Sequence, residues 1–539
     1  MQRSLNTLAS TPFDLLVIGG GILGASVARD AALRGLRVAL VERGDWGSGT
    51  SSNSLRIVHG GLRYLQHLDV RRMRESIRER SIWLRVAPHL VEPLPVLVPT
   101  YGWGVRGKAV LRAALAVNDV VAADRNRALA PDRHLPAGRA VSRGECLALV
   151  PELEAPSLTG GVLFYDAQMY SSERLVLETV MGAVAAGAEA ANYLEVTGPL
   201  RRGGRLDGIV ARDLGDGGPD LEIRARVIVN AGGPGAPGLT ATLLGAAVPR
   251  PPIGYTLALN FGVDATGHRT AFAVTGRTRD PNVLLRRGAR QLFFVPWRGR
   301  TLIGTAHLPY EGAPGDVHFV DEDLETFLAE VNAAWPGPAW GRQDLRIVHA
   351  GLLPGRVHGA ARVVRLAQHP WLVDHAADGS PSLLTVASVK FTTARRVAQE
   401  AVDCACTKLG NAVPCRTAST PLPGAPDGSV ERLLAEARLR HGSVAAPVLE
   451  HLVRTYGRRY EDVLRVAAAG GASSAWLEPL HPGGCVVFAQ LVHGARAEMV
   501  LTADDLVERR TELGAVGMGS PAVRARAAEA LGAARAGAS

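Results

Sequence analysis

Cysteine is scarce in this chain, which has only five cysteines among its 539 residues. They are too few and too scattered for a disulfide framework, and no histidine stands at ligand spacing from the Cys404-Ala-Cys406 pair. We therefore expect reduced thiols, no metal site and a cytoplasmic location.

Long apolar runs are also missing. No stretch approaches the roughly 20 uninterrupted apolar residues of a membrane-spanning helix. The first residues lack the charged and apolar regions of a secretion signal. Any contact with a membrane is therefore expected to be peripheral.

Lysine is rare as well: of the 60 basic residues only three are lysines, at positions 108, 390 and 408. Such a preference for arginine is typical of a genome-wide codon bias. A lysine that persists against this bias is a candidate for a functional role.

The composition that is present describes a large, loop-rich globular protein, with 47% hydrophobic residues, 61 glycines and 33 prolines. At roughly 100–200 residues per domain, this length predicts about three domains. The formal charge of +9 is mild and no dense basic run occurs. These features favour a small anionic ligand or a lipid surface, and we predict no nucleic-acid partner.

The first 42 residues form a strand–turn–helix–strand pattern. Residues 13–18 and 36–41 are apolar enough for buried strands, and a helix is predicted from Ala25 to about Arg34. Glu42 closes the second strand. This order is typical of a dinucleotide-binding unit.

The turn of this unit carries a G-x-G-x-x-G motif formed by Gly19, Gly21 and Gly24. Gly19 permits the tight turn, Gly21 lets the backbone approach a pyrophosphate, and Gly24 lets the helix pack on the strand. Glu42 would accept hydrogen bonds from the adenosine ribose. The motif alone does not distinguish NAD from FAD.

The rest of the chain alternates helical and strand patterns and then becomes helical. The predicted elements are an arginine-rich helix over 69–85, a β-meander over 191–213, a strand over 226–230, and strands over 255–263, 291–297 and 301–305. Residues 411–429 are rich in Pro, Gly and Ser, which predicts a linker before a helical C-terminal region.

Residues 50–65, TSSNSLRIVHGGLRYL, closely resemble the flavin-contacting segment of the FAD-dependent glycerol-3-phosphate dehydrogenases. Further segments match that family in the same order along the chain. They are NAGGP at 230–234, FVPWRGRTLIGT at 294–305, YEG at 310–312, KFTT at 390–393, and a segment at 498–511 that looks like the family's helical cap domain.

The resemblance implies an α/β fold with a Rossmann-like FAD-binding domain, an interleaved β-rich substrate domain and a C-terminal all-α domain. The expected boundaries are 10–85, 151–245 and 346–410 for the FAD-binding domain, 86–150 for a substrate or cap segment, 246–345 for the substrate domain, 411–429 for the linker and 430–535 for the helical domain.

The resemblance also implies the reaction. A hydride would pass from C2 of sn-glycerol 3-phosphate to N5 of the FAD flavin, giving dihydroxyacetone phosphate, and a quinone would receive the electrons, with oxygen as the alternative acceptor. The basic excess and the 69–85 stretch suggest peripheral contact with the inner face of the cell membrane. The oligomeric state stays open.

The site residues follow by matching positions to the family. Arg63, Tyr64 and Lys390 are expected at the catalytic centre, with Arg63, Arg365 and Lys390 binding the substrate. His59 would orient the flavin loop or act as the base. The expected cofactor contacts are Gly19, Gly21, Gly24, Glu42, Thr50, Ser51, Ser52, His59, Gly60, Gly61, Ala231, Gly232, Gly351, Lys390 and Thr392.

The chain departs from the family at its substrate side. Leu353 stands where the family has a phosphate-clamping arginine, and the strand beginning at Gly254 lacks the family's histidine. Residues that could compensate are Arg356, His349, Tyr255 and His307. Two alternatives therefore stay open: a paralogue that oxidises another alcohol or amine, and a flavin-binding subunit with little turnover. An NAD-linked dehydrogenase is a more distant alternative.

Overall fold

The computed structural model describes residues 1–62, 64, 69–102, 108–153, 155–215, 217–245, 254–279, 289–358, 363–470 and 473–536. The strands are β1 (Phe13–Ile18), β2 (Val38–Val41), β3 (Ile57–Val58), β4 (Val91–Tyr101), β5 (Arg139–Val141), β6 (Leu158–Met169), β7 (Glu189–Ala191), β8 (Leu194–Arg202), β9 (Arg205–Asp213), β10 (Leu221–Asn230), β11 (Gly254–Asp264), β12 (Ala271–Arg279), β13 (Ala289–Trp297), β14 (Arg300–Tyr310), β15 (Ile347–His358), β16 (Val363–Leu366), β17 (Trp371–Asp374) and β18 (Leu383–Ala387).

The helices are α1 (Leu5–Ser10), α2 (Ile22–Leu33), α3 (Val70–Val86), α4 (Lys108–Val121), α5 (Arg143–Leu149), α6 (Ser172–Ala185), α7 (Ala236–Leu244), α8 (Asp321–Ala334), α9 (Ala394–Leu409), α10 (Val430–Arg440), α11 (Ala446–Tyr456), α12 (Tyr460–Ala469), α13 (Ser473–Trp476), α14 (Phe488–Ala497) and α15 (Pro521–Ala536). No described helix is both long and apolar enough to cross a lipid bilayer.

The first sheet has the strand order β17-β18-β10-β1-β2-β7, and the meander strand β9 joins it through β10. The strands from β18 to β7 are parallel. All four residues of β2 are buried, as expected of a parallel strand covered on both faces. Helices α2, α6 and α9 cover one face, and α1, α7 and the β8–β9 meander cover the other.

The predicted glycine turn joins β1 to α2. Gly19 has a φ of +111°, a left-handed conformation that glycine adopts without strain. The helix begins at Ile22, directly after Gly21, and therefore starts three residues before the predicted Ala25. The turn is consequently shorter and its glycines lie closer to the helix N-terminus than the sequence pattern indicates.

The second sheet has the strand order β16-β15-β11-β14-β13-β12-β4-β6-β3. Both β6 and β15 belong to it, although the expected boundaries assign their residues to the FAD-binding domain. β6 pairs antiparallel with β4 along its length, and β15 pairs in the same way with β11. These long pairings place both strands in the substrate sheet, so the corresponding boundaries shift towards the C-terminus.

The segment 411–429 contains no helix or strand, as its composition predicts. It is nevertheless fixed against the first domain, because Leu422 is fully buried in the core of that domain. The Gly424 N–H donates to the Glu178 carboxylate at 3.0 Å. The segment 411–429 therefore lacks helices and strands but packs firmly against the rest of the protein.

The C-terminal region is all helical, which confirms the expected fold class. Buried ion pairs hold it to the first domain: Arg510 lies 2.6 Å from Asp45, and Arg174 lies 2.5 Å from Glu498. Removing one partner of such a buried pair costs several kcal/mol, roughly 3–5. The helical domain therefore has a defined position on the FAD-binding domain.

Candidate active site

A cavity of about 970 Å³ lies between the two sheets. Its size is at the upper end of the range for small-molecule and cofactor sites, roughly 300–1,000 Å³. One end is formed by the glycine turn and the carboxyl ends of β1, β2 and β10, and the other by β11, β14, β15 and residues 387–392. We call these the nucleotide end and the substrate end.

The backbone forms the nucleotide end. Gly19 and Ala231 face each other so closely that a Cβ on Gly19 would lie 2.5 Å from the Ala231 carbonyl oxygen. Gly21 and Gly232 also line the cavity. Only glycine fits at position 19, because the Ala231 backbone occupies the space that a Cβ would need.

Helix α2 presses directly on the turn. A Cβ on Gly24 would lie 1.8 Å from the Gly19 carbonyl oxygen. The first N–H groups of a helix have no intrahelical acceptor and attract phosphates. The Ile22 N–H donates to Ser51 Oγ at 3.0 Å, so the Thr50 loop is joined to the same helix end.

Glu42 ends β2 at the wall of the cavity. Its carboxylate accepts the Gly20 N–H at 2.6 Å and the Gly44 N–H at 2.7 Å. Burial raises the pKa of Glu42, and these two donors oppose the rise. Each carboxylate oxygen keeps a second lone pair that can accept a hydrogen bond from a ribose hydroxyl.

The loop that follows the nucleotide end combines cavity contacts with internal bonds. Thr50 and Ser51 line the cavity, and Thr50 Oγ1 donates to the Leu352 carbonyl at 3.0 Å. Ser52 instead donates to the Gly49 carbonyl at 3.0 Å and stabilises the loop itself. Gly351 lines the cavity opposite this loop.

His59 reaches the cavity from the same loop, and 46% of its side chain is exposed there. Its Nδ1 lies 3.1 Å from Asp166 Oδ2. Asp166 also accepts the Gly60 N–H at 2.6 Å and the Arg80 guanidinium at 2.7 Å. Burial would raise the pKa of Asp166, but the contacts with His59, Arg80 and Gly60 outweigh it and hold the pKa below its ordinary value.

Gly60 and Gly61 shape this loop rather than line the cavity. A Cβ on Gly60 would lie 2.2 Å from the Arg80 guanidinium. Gly61 has a φ of +83° and leaves room for the Tyr64 ring. Both glycines therefore act through the placement of their neighbours.

Lys390 lines the substrate end and lies beside Tyr64, which does not itself line the cavity. Its Nζ is 4.5 Å from the centroid of the Tyr64 ring and donates to Ser76 Oγ at 3.1 Å. Burial raises the pKa of the nearby Glu75, and the Lys390 charge opposes this rise. Arg63 lies outside the described residues.

Arg365 is placed away from this group. It is exposed on β16, at the edge of the second sheet, and pairs in register with Arg356. Neither arginine lines the cavity, whereas Leu353 does. The structure therefore does not bring Arg365 to Lys390, and its substrate contact stays a prediction.

Two of the proposed compensating residues do line the substrate end: Tyr255 and His307. Burial raises the pKa of Tyr255 to about 12. His349 does not line the cavity; it is buried, and burial together with the Arg56 charge lowers its pKa to about 4. It is therefore a neutral structural side chain.

Sequence reasoning missed Asp166, Asn260 and Thr305. Thr305 Oγ1 donates to Asn260 Oδ1 at 2.6 Å, and both residues line the cavity. A signal for Asp166 was available, because it is the only charged residue within the apolar strand β6. No comparable signal marks Asn260, whose position depends on strand pairing.

Thr392 lines the cavity and is 2% exposed, with its carbonyl accepting the Trp83 indole N–H at 3.0 Å. Among the described residues, no group of three or more His, Cys, Asp and Glu side chains could hold a metal ion.

The glycine turn, the helix end and the acidic strand end fit a dinucleotide. The fold and site thus define a dinucleotide-dependent oxidoreductase.

Comparisons with known proteins specify the family. Residues 14–395 match the family described as FAD dependent oxidoreductase, and residues 415–534 match the C-terminal domain of alpha-glycerophosphate oxidase. The chain is 33% identical to a glycerol-3-phosphate dehydrogenase of Synechocystis sp., over 96% of this chain and 91% of that protein. It is 30% identical to the mitochondrial enzyme of Mus musculus, over 95% of this chain and 69% of that protein.

A solved structure agrees. The glycerol-3-phosphate dehydrogenase of Bacillus halodurans, complexed with FAD, matches with a TM-score of 0.75 and 26% identity, covering 98% of this chain and 92% of that chain. The chain therefore belongs to the glycerol-3-phosphate dehydrogenase family of FAD-dependent oxidoreductases. It is an FAD-dependent dehydrogenase, and the resemblance in residues 50–65 is confirmed at the level of the family.

Proposed function

We propose that this enzyme oxidises sn-glycerol 3-phosphate at C2 to dihydroxyacetone phosphate. The observation on which the proposal rests is one continuous cavity with the glycine turn at one end and both Lys390 and His59 along its wall. Glycerol-3-phosphate dehydrogenases that cover most of this chain support the choice of substrate.

The nucleotide end would hold FAD through backbone groups. The glycine turn and the first N–H groups of α2 would bind the pyrophosphate, and Glu42 would bind the ribose hydroxyls. When bound, FAD supplies the acceptor, N5, for the hydride that leaves C2.

His59 is the group we assign to the substrate hydroxyl proton. Its Nδ1–H donates to Asp166 in the tautomer that leaves Nε2 with a free lone pair. As the C2–H bond breaks, the hydroxyl proton moves to Nε2 and the C–O bond becomes a carbonyl. The Asp166 carboxylate stabilises the imidazolium that results, and a positioned base of this kind contributes about 10²–10⁴-fold to rate.

Lys390 is the group we assign to the phosphate. One of its three N–H donors is used by Ser76, and the others remain for the ligand. A hydrogen bond to a charged group contributes roughly 1.5–3 kcal/mol. Tyr64 keeps the ammonium in place through its ring face.

A second candidate function follows from Leu353. This side chain lines the cavity where the family has a phosphate-clamping arginine, so the wall is more apolar. An alcohol or amine substrate with less charge would suit such a wall. A flavin-binding subunit with little turnover is the third candidate.

We also propose that a quinone receives the electrons, with oxygen as the alternative. Peripheral contact with the membrane would bring the enzyme to such an acceptor. Reoxidation of the reduced enzyme by a soluble quinone analogue, compared with reoxidation by dissolved oxygen, identifies which acceptor is faster.

An anaerobic reduction screen tests the substrate. The purified holoenzyme is mixed with sn-glycerol 3-phosphate, glycerol, other small polyols or amino acids, and loss of flavin absorbance is followed. We expect fast bleaching with sn-glycerol 3-phosphate only. Bleaching by an uncharged alcohol or an amine alone favours the second candidate, and retained FAD that none of these compounds reduces favours the third.

A further inference from the structure

A second cavity, of about 650 Å³, lies between the substrate sheet and the C-terminal helices. Residues 92–95 of β4, residues 296–301 between β13 and β14, residues of α11, and the segment 483–486 form its walls. We call it the interdomain cavity. It is distinct from the cofactor cavity, which is lined by other residues.

Guanidinium groups are prominent in the wall of the interdomain cavity. Among the described residues, four arginines and one acidic residue, Glu92, line it. The arginines are Arg269, Arg298, Arg300 and Arg454. Such a wall attracts an anion, because guanidinium groups bind carboxylates and phosphates through paired N–H donors.

Two of these arginines are already neutralised. Arg454 donates to Glu92 at 2.6 Å and to Glu450 at 3.1 Å. Arg300 donates to Asp264 at 2.6 Å. They contribute to the shape of the wall more than to its free charge.

The other two offer free N–H donors, although Glu512 also balances the charge of Arg298. Arg298 is 11% exposed at its side chain and binds Glu512 through Nη1, while its Nε and Nη2 make no hydrogen bond to any described residue. Arg269 is exposed at the cavity mouth and also has no ion-pair partner in the described part of the chain. An anion entering the cavity would meet both.

The Arg298 guanidinium is held in position by aromatic rings. It lies 5.0 Å from the Tyr170 ring centroid and 5.6 Å from the Trp297 ring. The Tyr170 hydroxyl is 2.7 Å from His451 Nδ1, which fixes the ring in turn. A pre-positioned guanidinium loses little freedom when it binds a ligand.

The rest of the wall is largely apolar. It includes Pro93, Pro95, Val486, Leu513, Val516 and Met518. A simple inorganic anion would leave this surface uncovered, whereas a molecule with an apolar body would bury it.

We propose that the interdomain cavity is a second ligand site, which binds a small molecule with a phosphate or carboxylate group and an apolar body. The anionic group contacts Arg298 and Arg269, and the apolar body packs against the prolines and aliphatic side chains. Glu512, the partner of Arg298, lies 3.2 Å from Arg56, which lines the cofactor cavity. Three side chains therefore connect the two cavities.

Cys485 provides a local test, because it lines the interdomain cavity and is half-buried. Burial raises the pKa of its thiol, so alkylation by a maleimide is slow enough to follow at mildly alkaline pH. No described residue lining the cofactor cavity is a cysteine, so a ligand there does not cover a labelled thiol. Peptide mass spectrometry separates Cys485 from the other cysteines.

The holoenzyme is labelled with and without phenyl phosphate, inorganic phosphate or benzyl alcohol. We expect phenyl phosphate to slow Cys485 alkylation about tenfold or more, inorganic phosphate to do so only at higher concentration, and benzyl alcohol to have no effect. In Arg269→Gln, the concentration of phenyl phosphate that gives half protection should rise roughly tenfold, since one charged contact is lost. Arg438→Gln is the control, because Arg438 is an exposed arginine beside Glu450 and outside the cavity.

Equal protection by benzyl alcohol, or no protection by phenyl phosphate, would overturn the proposal. So would unchanged protection in both Arg269→Gln and Arg298→Gln. Retained FAD and an unchanged melting temperature show that each variant is folded, and Arg269 is the safer of the two because it is exposed.

Discussion

The two ends of the cofactor cavity are built in different ways. The nucleotide end consists mainly of backbone from one short stretch, with Gly19, Gly21 and Glu42 separated by 23 residues at most. The substrate end joins side chains from separate elements: Lys390 follows β18, Ser76 lies on α3 and Asp166 lies on β6.

This difference determines how each end can change. A Cβ would clash with backbone atoms at Gly19 and at Gly24, so the nucleotide end tolerates only glycine at these close contacts. The substrate end depends on individual side chains, among them Leu353, which lines the cavity there. We therefore expect substitutions at the substrate end to change substrate preference without loss of FAD.

The largest effect is expected at the nucleotide end. In Gly24→Ala the added Cβ would lie 1.8 Å from the Gly19 carbonyl, so α2 must move away from the turn. We expect purified Gly24→Ala to lose most of its FAD, measured as flavin absorbance per protein. Overpacking of this kind also costs about 1–3 kcal/mol of stability.

Gly532→Ala is the matched control, because Gly532 is also helical and a Cβ there meets nothing within 4 Å. It should keep its FAD and gain roughly 0.5–1 kcal/mol of helix stability. Full FAD content in Gly24→Ala would contradict the close helix–turn contact.

The next largest effect is expected on the rate of flavin reduction, when His59, which lies between the two ends, is replaced. If His59 accepts the hydroxyl proton, the rate of flavin reduction by substrate should be about 10²–10⁴-fold lower in His59→Asn. Its FAD content and its KM should change little. Added imidazole should restore part of the rate. His318→Asn, which alters an exposed histidine, is the control.

A loss of less than about tenfold would assign His59 to loop orientation alone. In that case Tyr255 and His307, which also line the substrate end, become the residues to change. Stopped-flow measurement of flavin reduction separates this step from reoxidation.

The sequence predicted the nucleotide end well because its residues are local. The strand at 13–18, the glycine turn and Glu42 are neighbours along the chain, and their spacing is the structural motif itself. The substrate end was predicted only through family resemblance, which named Lys390 and Tyr64; Lys390 lines the cavity, and Tyr64 lies beside it. Asp166 and Asn260 were missed because strand pairing in the second sheet brings Asp166 to His59 and Asn260 to the cavity.

Assignments to the second sheet failed for a related physical reason. The boundaries implied by the family resemblance placed the strands β6 and β15 with the FAD-binding domain. Pairing with β4 and β11 decides their domain, and such distant pairing leaves no trace in local composition.

A third prediction concerns the pH dependence of stability, which distinguishes His349 from His59. Burial first, and the Arg56 charge second, lower the pKa of His349 to about 4, whereas an unfolded histidine titrates near 6.5. The unfolded chain therefore binds more protons between these values. The neutral His349 therefore makes its full contribution to the free energy of unfolding above about pH 6.5. This contribution, up to about 3 kcal/mol, is lost as the pH falls towards 4.

His349→Gln should remove this part of the acid sensitivity. We expect its melting temperature to fall less than that of the wild type between neutral pH and about pH 5. Flavin reduction by substrate should stay within about twofold at neutral pH, since His349 does not line the cavity. If His349→Gln instead lost most of its flavin reduction rate and kept the wild-type pH dependence of the melting temperature, His349 would act in catalysis and His59 would be structural.

The smallest effect tests the substrate end alone. Lys390→Met removes a charged hydrogen bond worth roughly 1.5–3 kcal/mol, so KM for sn-glycerol 3-phosphate should rise about 10–100-fold. Activity with glycerol, which has no phosphate, should change much less, so the ratio of kcat/KM for the two substrates should become smaller.

Lys408→Met is the matched control, because its ion pair with Asp374 at 2.7 Å lies at the surface and contributes at most about 1 kcal/mol. If Lys390→Met lowered kcat for both substrates equally and left KM unchanged, Lys390 would act on the flavin and the phosphate would have to bind elsewhere.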